Sequence, residues 1–522
     1  MSKKSFISGA IILVLAGLVV RIFGFAYRIY LSNLIGAEGM GLFQLISPVY
    51  SLIILTLTSG VSIAVSKMVA EEMAKNHFVN LRRITKCAFI IVVTAGAIVS
   101  VFILLFIDFI ANGILKDSRT YYSLLLLIPT IPVIAAASAL KGYFYGIQEV
   151  VPTALSQIVE QIVRIGLVLA MASYFVQAGL EYACALATIG MALGEIANLA
   201  VLAIIYRVKR RNSLKNKSQT GFMRKRVIIK GLLGTSLPIS FNRFVTSVMA
   251  AIEMILIPQR LLAGGLNYQN SIAEYGRLTG MAMPLIFFPS VVSSALATTL
   301  VPAISEAISL KKFKSVNYRI SKSIQLTFIL GIIFTCIFLN FPNEIGNLLY
   351  RKEKVGHTLY LLSFSCTFLY LQQTLLGVLN GLGKQALSLR NAIVGYAIRI
   401  GFVYCFIPLH GVKAYVWGIV VSTGLVCFLN LAAVVKSTGL ALDLRNWIIK
   451  PGLVGIVMLL IGKYIHGFFD LLNVSQPWTI ALTVTGNVAI AMALMVVMGA
   501  LKKEEAIKIF GLSAKRTKKN NS

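Results

Sequence analysis

The chain has 522 residues, of which 57% are hydrophobic and 13% charged, with a mean hydropathy of +0.83 and a formal net charge of +31. A soluble protein of this length carries about a quarter charged residues, so the composition excludes an ordinary soluble domain. Nucleic-acid binding is excluded by the placement of the charge: most lysines and arginines fall between apolar runs of about twenty residues, the length that crosses a bilayer.

In chain order, Lys3 and Lys4 precede an apolar run from Phe6 to Val20. A secretory signal begins this way, but no small-residue cleavage pattern follows, and Arg21 leads into more apolar sequence. The run is read as a retained first span. Fourteen spans are predicted, at about 6–30, 42–66, 87–108, 121–140, 153–173, 181–206, 231–257, 278–303, 323–341, 358–380, 391–407, 414–435, 451–470 and 478–500. With successive loops on opposite sides, 35 of the 49 Lys and Arg residues fall on one side and 8 on the other. Six lie inside spans: Arg21, Arg28, Arg164, Arg243, Arg399 and Lys463. This bias predicts that the rich side, with both termini, is cytoplasmic. The stretch RVKRRNSLKNKSQTGFMRKR, Arg207 to Arg226, then reads as a cytoplasmic loop against anionic lipid headgroups.

The spans fall into two similar halves. LKGYFYGIQEVVPTALSQIVEQIVRIG from Leu140 matches LLGVLNGLGKQALSLRNAIVGYAIRIG from Leu375. At an offset of 235, Gly142 meets Gly377, Gly146 meets Gly381 and Arg164 meets Arg399; at an offset of 222, Gly9 meets Gly231 and Arg21 meets Arg243. The expected fold is therefore an all-α polytopic membrane protein with two pseudo-symmetric six-helix lobes plus two C-terminal helices. The lobes are placed at 1–206 and 231–436, joined by a basic linker at 207–230. Helices thirteen and fourteen follow at 437–500, then a basic tail at 501–522. An even number of helices per half orients both alike and suits transport, with a cavity where the repeats meet near mid-membrane.

Arginine at a bilayer centre costs about 2.5–3.5 kcal/mol on insertion scales, so it faces protein or water. Gly17, Arg21, Gly24 and Arg28 follow one helical face, and Arg243 occupies the middle of the seventh span. Guanidinium forks match phosphate oxygens, which makes Arg21, Arg28 and Arg243 candidate substrate-binding residues. The competing readings are acid partners within the bundle or, for Arg28, snorkelling to the interface. Glu160 precedes Arg164 by four residues, the favoured order for a structural ion pair. Arg399 has Gly395 in that place, so its partner lies elsewhere. Glu195 is open to two readings, ion coupling or a structural hydrogen bond. Pro48 and Pro284 permit bends in symmetry-related spans.

Enzyme readings find no support. GLGKQ at Gly381 lacks the spacing and the Ser or Thr of a phosphate-binding loop. The four histidines are isolated, and the six cysteines are scattered through apolar runs, so neither a metal site nor a cofactor is expected.

Three stretches carry a resemblance: RIFGFAYRIYLSNLIGAEGMGLFQL at Arg21, AIEMILIPQRL at Ala251 and YGRLTGMAMPLIFFPSVVSSALATTLVPAISEA at Tyr275. With the span count, they resemble the MOP exporter superfamily, and within it the stage V sporulation protein B and polysaccharide-biosynthesis family. The resemblance implies a flippase for an undecaprenyl-diphosphate-linked glycan, lipid II or a related peptidoglycan precursor, serving spore cortex or cell-wall synthesis in the cytoplasmic membrane. It implies membrane lipids and cell-wall synthesis enzymes as partners, no nucleic acid, and a lipid-tail groove on helices thirteen and fourteen. Related lipid II flippases read RxxGFxRD in the first span. Arg21, Gly24 and Phe25 match, but Tyr27 and Arg28 replace the Arg-Asp pair, which sets this chain nearer the sporulation branch. Two alternatives stand beside it: a non-transporting scaffold that recruits cell-wall enzymes, and an ion-coupled drug exporter.

Overall fold

A computed structural model describes residues 3–75, 77–213, 222–471 and 475–499; the middle of the basic linker and the tail lie outside the described residues. Every element among the described residues is helical. Among the described residues, eleven helices are long and apolar enough to cross a membrane, or up to thirteen if two bent pairs each count as one span. Fourteen were expected, and the first two share helix α1 (Lys3–Ala74), which is interrupted at Gly36 with φ 68° and ψ −174°. Tyr27 and Tyr50 lie on either side of that break. A straight helix would separate them by about 35 Å, yet both hydroxyls lie within electrostatic reach of Arg164. The chain therefore turns back at Gly36, a positive-φ position suited to glycine.

The chain forms two compact units. Unit 1 comprises residues 1–284 and 399–412. Besides α1 it holds α2 (Phe78–Leu105), α3 (Tyr121–Leu127), α4 (Thr130–Gly146), α5 (Val151–Ala178), α6 (Leu180–Ser213), α7 (Lys225–Ala263) and α8 (Tyr268–Tyr275), followed by a wide-turn helical stretch, Gly276–Ala282. α3 and α4 are the expected fourth span, bent by 41° beside Pro129, whose ring cannot donate a helical hydrogen bond. Pro48 lies inside α1 without ending it.

Within lipid the apolar effect does not drive helices together; close van der Waals contact between small residues does. Unit 1 is built that way. Gly142 and Gly146 of α4 lie against Val65 and Val69 of α1, while Gly60 of α1 lies against the Ser236 carbonyl and the Ser240 hydroxyl of α7. At the Gly36 end, a Cβ on Gly41 would sit 2.1 Å from the Ile272 carbonyl, and one on Gly276 would sit 1.9 Å from the Ala37 carbonyl. Gln44 donates to the Thr279 carbonyl at 3.0 Å, and the Tyr275 hydroxyl donates to the Gln44 carbonyl at 3.2 Å. Arg119 bridges Asp117 and Glu38 at 2.9 and 2.7 Å.

At the opposite end, unit 1 grips the end of the linker. The Met223 N–H donates to the Asn80 side-chain oxygen at 3.1 Å, and its carbonyl accepts from Arg83 at 2.7 Å. The Arg83 guanidinium lies 3.3 Å from the centre of the Phe222 ring. Asn80 is held in turn by the buried carboxylate of Glu72, to which it donates at 2.6 Å.

Unit 2 comprises residues 285–398 and 413–522. α9 (Met283–Phe287) runs into it, and Pro289 opens α10 (Ser290–Ser309), so the expected eighth span is broken between Phe287 and Ser290. α11 (Phe313–Asn340), α12 (Pro342–Leu349), α13 (Gly356–Ser363) and α14 (Cys366–Gly381) follow, with a bend of 53° between α13 and α14. α15 (Gln385–His410) is shared with unit 1; α16 (Val412–Thr438), α17 (Lys450–Leu471) and α18 (Gln476–Val497) follow among the described residues. Gly377 and Gly381 of α14 lie against Ala297 and Ile304 of α10, so the repeated glycine pair makes the same kind of contact in each unit. α17 packs on α11 through Gly455, beside Ile332 and Cys336, and Gly462, beside Asn340.

Candidate functional site

The arginine face of α1 borders α5: a Cβ on Gly24 would lie 3.6 Å from the Gln161 amide nitrogen, while Gly17 has nothing within 4 Å. Arg21 is exposed and Arg28 half-buried. Arg28 and Arg164 both act electrostatically on the Tyr27 hydroxyl, which is buried with no hydrogen-bond partner. Arg243 is exposed on α7, which packs along α1. Among the described residues it makes no ion pair.

Behind Arg28 lies a polar layer between α5 and α6. Arg164 donates to Glu160 at 2.5 Å, and Asn198 donates to the other carboxylate oxygen at 2.7 Å. Gly190 and Gly194 of α6 let α5 approach; a Cβ on Gly194 would lie 3.0 Å from the Glu160 carbonyl. Glu195, three residues before Asn198, feels the charges of Glu160, Lys141 and Arg164. One of its carboxylate oxygens is buried without a hydrogen-bond partner, as are the side-chain oxygens of Gln161 and Asn198. All three are acceptors, so a hydrogen-bond donor brought into this layer would find them ready to receive it.

Arg399 finds its partner on another helix of unit 1. Its Nε lies 3.0 Å from Glu253 Oε1, an ion-pair distance without hydrogen-bond alignment, and the Glu253 side chain is 2% exposed. The sequence narrowed the choice of partner to two acids, Glu195 and Glu253, without deciding between them. Deep within the expected spans the only acids are Glu160, Glu195 and Glu253; Arg164 takes the first, and Gly395 denies Arg399 a partner on its own helix. Arginines at equivalent positions of the repeat are thus neutralised differently, one within its helix and one across helices.

The family model for polysaccharide biosynthesis protein matches residues 6–308. The chain belongs to this family. A second model, MatE, matches residues 238–405. Stage V sporulation protein B of Bacillus subtilis (strain 168) is 30% identical over 514 residues, covering 98% of each chain. Lipid II flippase MurJ of the same organism is 26% identical over 431 residues, covering 77% of each. Among solved structures, a lipid II flippase MurJ in an inward closed conformation superposes with a TM-score of 0.68 at 14% identity, covering 93% of this chain and 98% of that one. An inward-facing multidrug resistance MATE family transporter of the MOP superfamily gives 0.64 at 14% identity, over 81% of this chain and all of the other. At these identities the structural likeness speaks for the fold. The chain is a multi-pass membrane protein that shares the fold of MOP-superfamily transporters, and the relatives and neighbours whose names state an activity are flippases and transporters rather than enzymes.

Proposed function

We propose that this protein is a flippase for an undecaprenyl-diphosphate-linked glycan, lipid II or a related peptidoglycan precursor, and that it serves spore cortex or cell-wall synthesis. The observation that carries the reading is a set of three arginines on helices long and apolar enough to cross a membrane: Arg21 and Arg28 on one face of α1, and Arg243 on α7, which packs on α1. Their guanidiniums bind the diphosphate head group, because a planar fork of donors meets phosphate oxygens two at a time. Glu160 and Arg164 form a structural ion pair behind them, and the polyprenyl tail stays in lipid along α17 and α18. The full-length similarity to stage V sporulation protein B supports the sporulation setting.

In this reading the two six-helix lobes alternate access to the head group. Both termini and the basic linker face the cytoplasm, and the Gly36 end faces outward. Linker and tail meet anionic headgroups and cell-wall synthesis enzymes. The test is translocation of defined lipid-linked precursors in reconstituted vesicles. Losing a charge-assisted phosphate contact worth about 1.5–3 kcal/mol lowers translocation by about tenfold to a hundredfold in Arg21→Ala and Arg243→Ala, while both variants still reach the membrane. Translocation unchanged in both would end the site assignment. A scaffold tolerates both substitutions. The match to MatE favours drug export as a second reading, which is tested by efflux of organic cations from the same vesicles.

A further inference from the structure

The second part of α15 and the end of α7 are joined at three successive levels, all within unit 1. Glu253 pairs with Arg399 at 3.0 Å. One to two turns on, Arg260 donates to the Tyr404 carbonyl at 3.0 Å, and its guanidinium lies 4.2 Å from the Tyr404 ring centre. At the end, Gly264 lies so close to Pro408 that a Cβ would sit 2.7 Å from its carbonyl. Both helices run the same way through these contacts, so the levels form a parallel zip. Glu253 also acts on Tyr275, whose hydroxyl donates to the Gln44 carbonyl in the packed Gly36 end.

An ion pair is a poor choice here if stability is all it provides. A well-packed apolar pair in its place is commonly neutral or stabilising, whereas removing one partner strands a buried charge. Inside a membrane that balance tilts further toward apolar residues. We propose that Glu253 and Arg399 are positioning residues for transport: their pair pins residues 399–410 of α15 to α7, so that both move as one block with the packed Gly36 end. The inference rests on the transport reading above. The pair touches no substrate; it acts by fixing α7, the helix that carries Arg243.

The chain contains its own reporter. Cys184 is fully buried, and its Sγ donates to the Gly39 carbonyl at 3.3 Å, three residues on from Gly36. The experiment uses full-length protein in vesicles with Cys184 as the remaining cysteine. It measures labelling by a membrane-impermeant maleimide together with translocation and binding of a lipid-linked diphosphate. In Glu253→Leu/Arg399→Leu, labelling rises and translocation falls by about tenfold or more, while binding stays within about threefold, the pattern of a lost turnover step rather than a lost contact. The swap Glu253→Arg/Arg399→Glu restores both rates to within about threefold of the parent. If the swap does not accumulate in membranes, Glu253→Gln/Arg399→Gln replaces it and labels at a rate between the parent and the leucine pair. Parental labelling in the leucine pair overturns the proposal, whatever its translocation rate. If the parent itself moves no lipid-linked diphosphate, the transport reading fails, and the labelling rates still decide whether the pair is a pin.

Discussion

The glycine at 276 gives the sharpest test of how the Gly36 end is built. In Gly276→Ala the new Cβ would lie 1.9 Å from the Ala37 carbonyl oxygen and 2.6 Å from the Gly41 nitrogen. Real Cβ atoms essentially never approach closer than 3.0 Å, so the two segments must part by about 1 Å. Both obstructing atoms are backbone, in the first helical turn after the Gly36 break, and neither can rotate away as a side-chain tip would. Overpacking costs about 1–3 kcal/mol, and a backbone obstruction belongs at the upper end. Gly166→Ala in the middle of α5 is the control, since a Cβ there meets nothing within 4 Å. Replacing a mid-helix glycine by alanine in open space gains up to about 1 kcal/mol. The two substitutions, chemically identical, are expected to move the melting temperature of the detergent-purified protein in opposite directions. A Gly276→Ala protein that melts at or above the parental temperature, alongside a destabilised Gly166→Ala, would refute the close backbone contact.

Three further outcomes follow from the geometry. Glu160→Leu leaves Arg164 and the Asn198 amide without their shared acceptor and costs about 3–5 kcal/mol, whereas Glu160→Leu/Arg164→Leu recovers much of the loss; melting temperatures compare them. Asn80→Ala/Arg83→Ala releases the backbone of Met223, where one neutral and one charge-assisted hydrogen bond worth together about 2–4 kcal/mol are lost along with the Asn80 bond to Glu72, so limited proteolysis near Phe222 accelerates severalfold. A fluorescent protein fused to the C-terminus folds and fluoresces if the tail is cytoplasmic, and a periplasmic phosphatase fused there stays inactive; the reverse pattern would overturn the proposed orientation.

What the sequence determined was whatever depends on periodicity and solvent. Apolar runs of span length led to an all-helical membrane protein. The repeated Gly142/Gly146 and Gly377/Gly381 set the two halves in register; that each pair packs against a neighbouring helix came from the structure. The Glu160 and Arg164 spacing told which groups share a face, because four residues bring side chains together on any helix. Tertiary structure alone decided the matters that involve distant segments. Glu253 and Arg399 are 146 residues apart, and only the packing of α7 beside α15 brings them to 3.0 Å. The turn at Gly36 falls in the gap that hydropathy left between the first two expected spans, 6–30 and 42–66, but that one positive-φ glycine makes the break within an otherwise continuous helix is visible only in the structure. The polar layer of Tyr27, Gln161, Glu195 and Asn198 draws single residues from three separate helices, α1, α5 and α6, so no local pattern marks it. Local spacing fixes what a helix can present; which neighbour receives it depends on the shapes of all the helices at once.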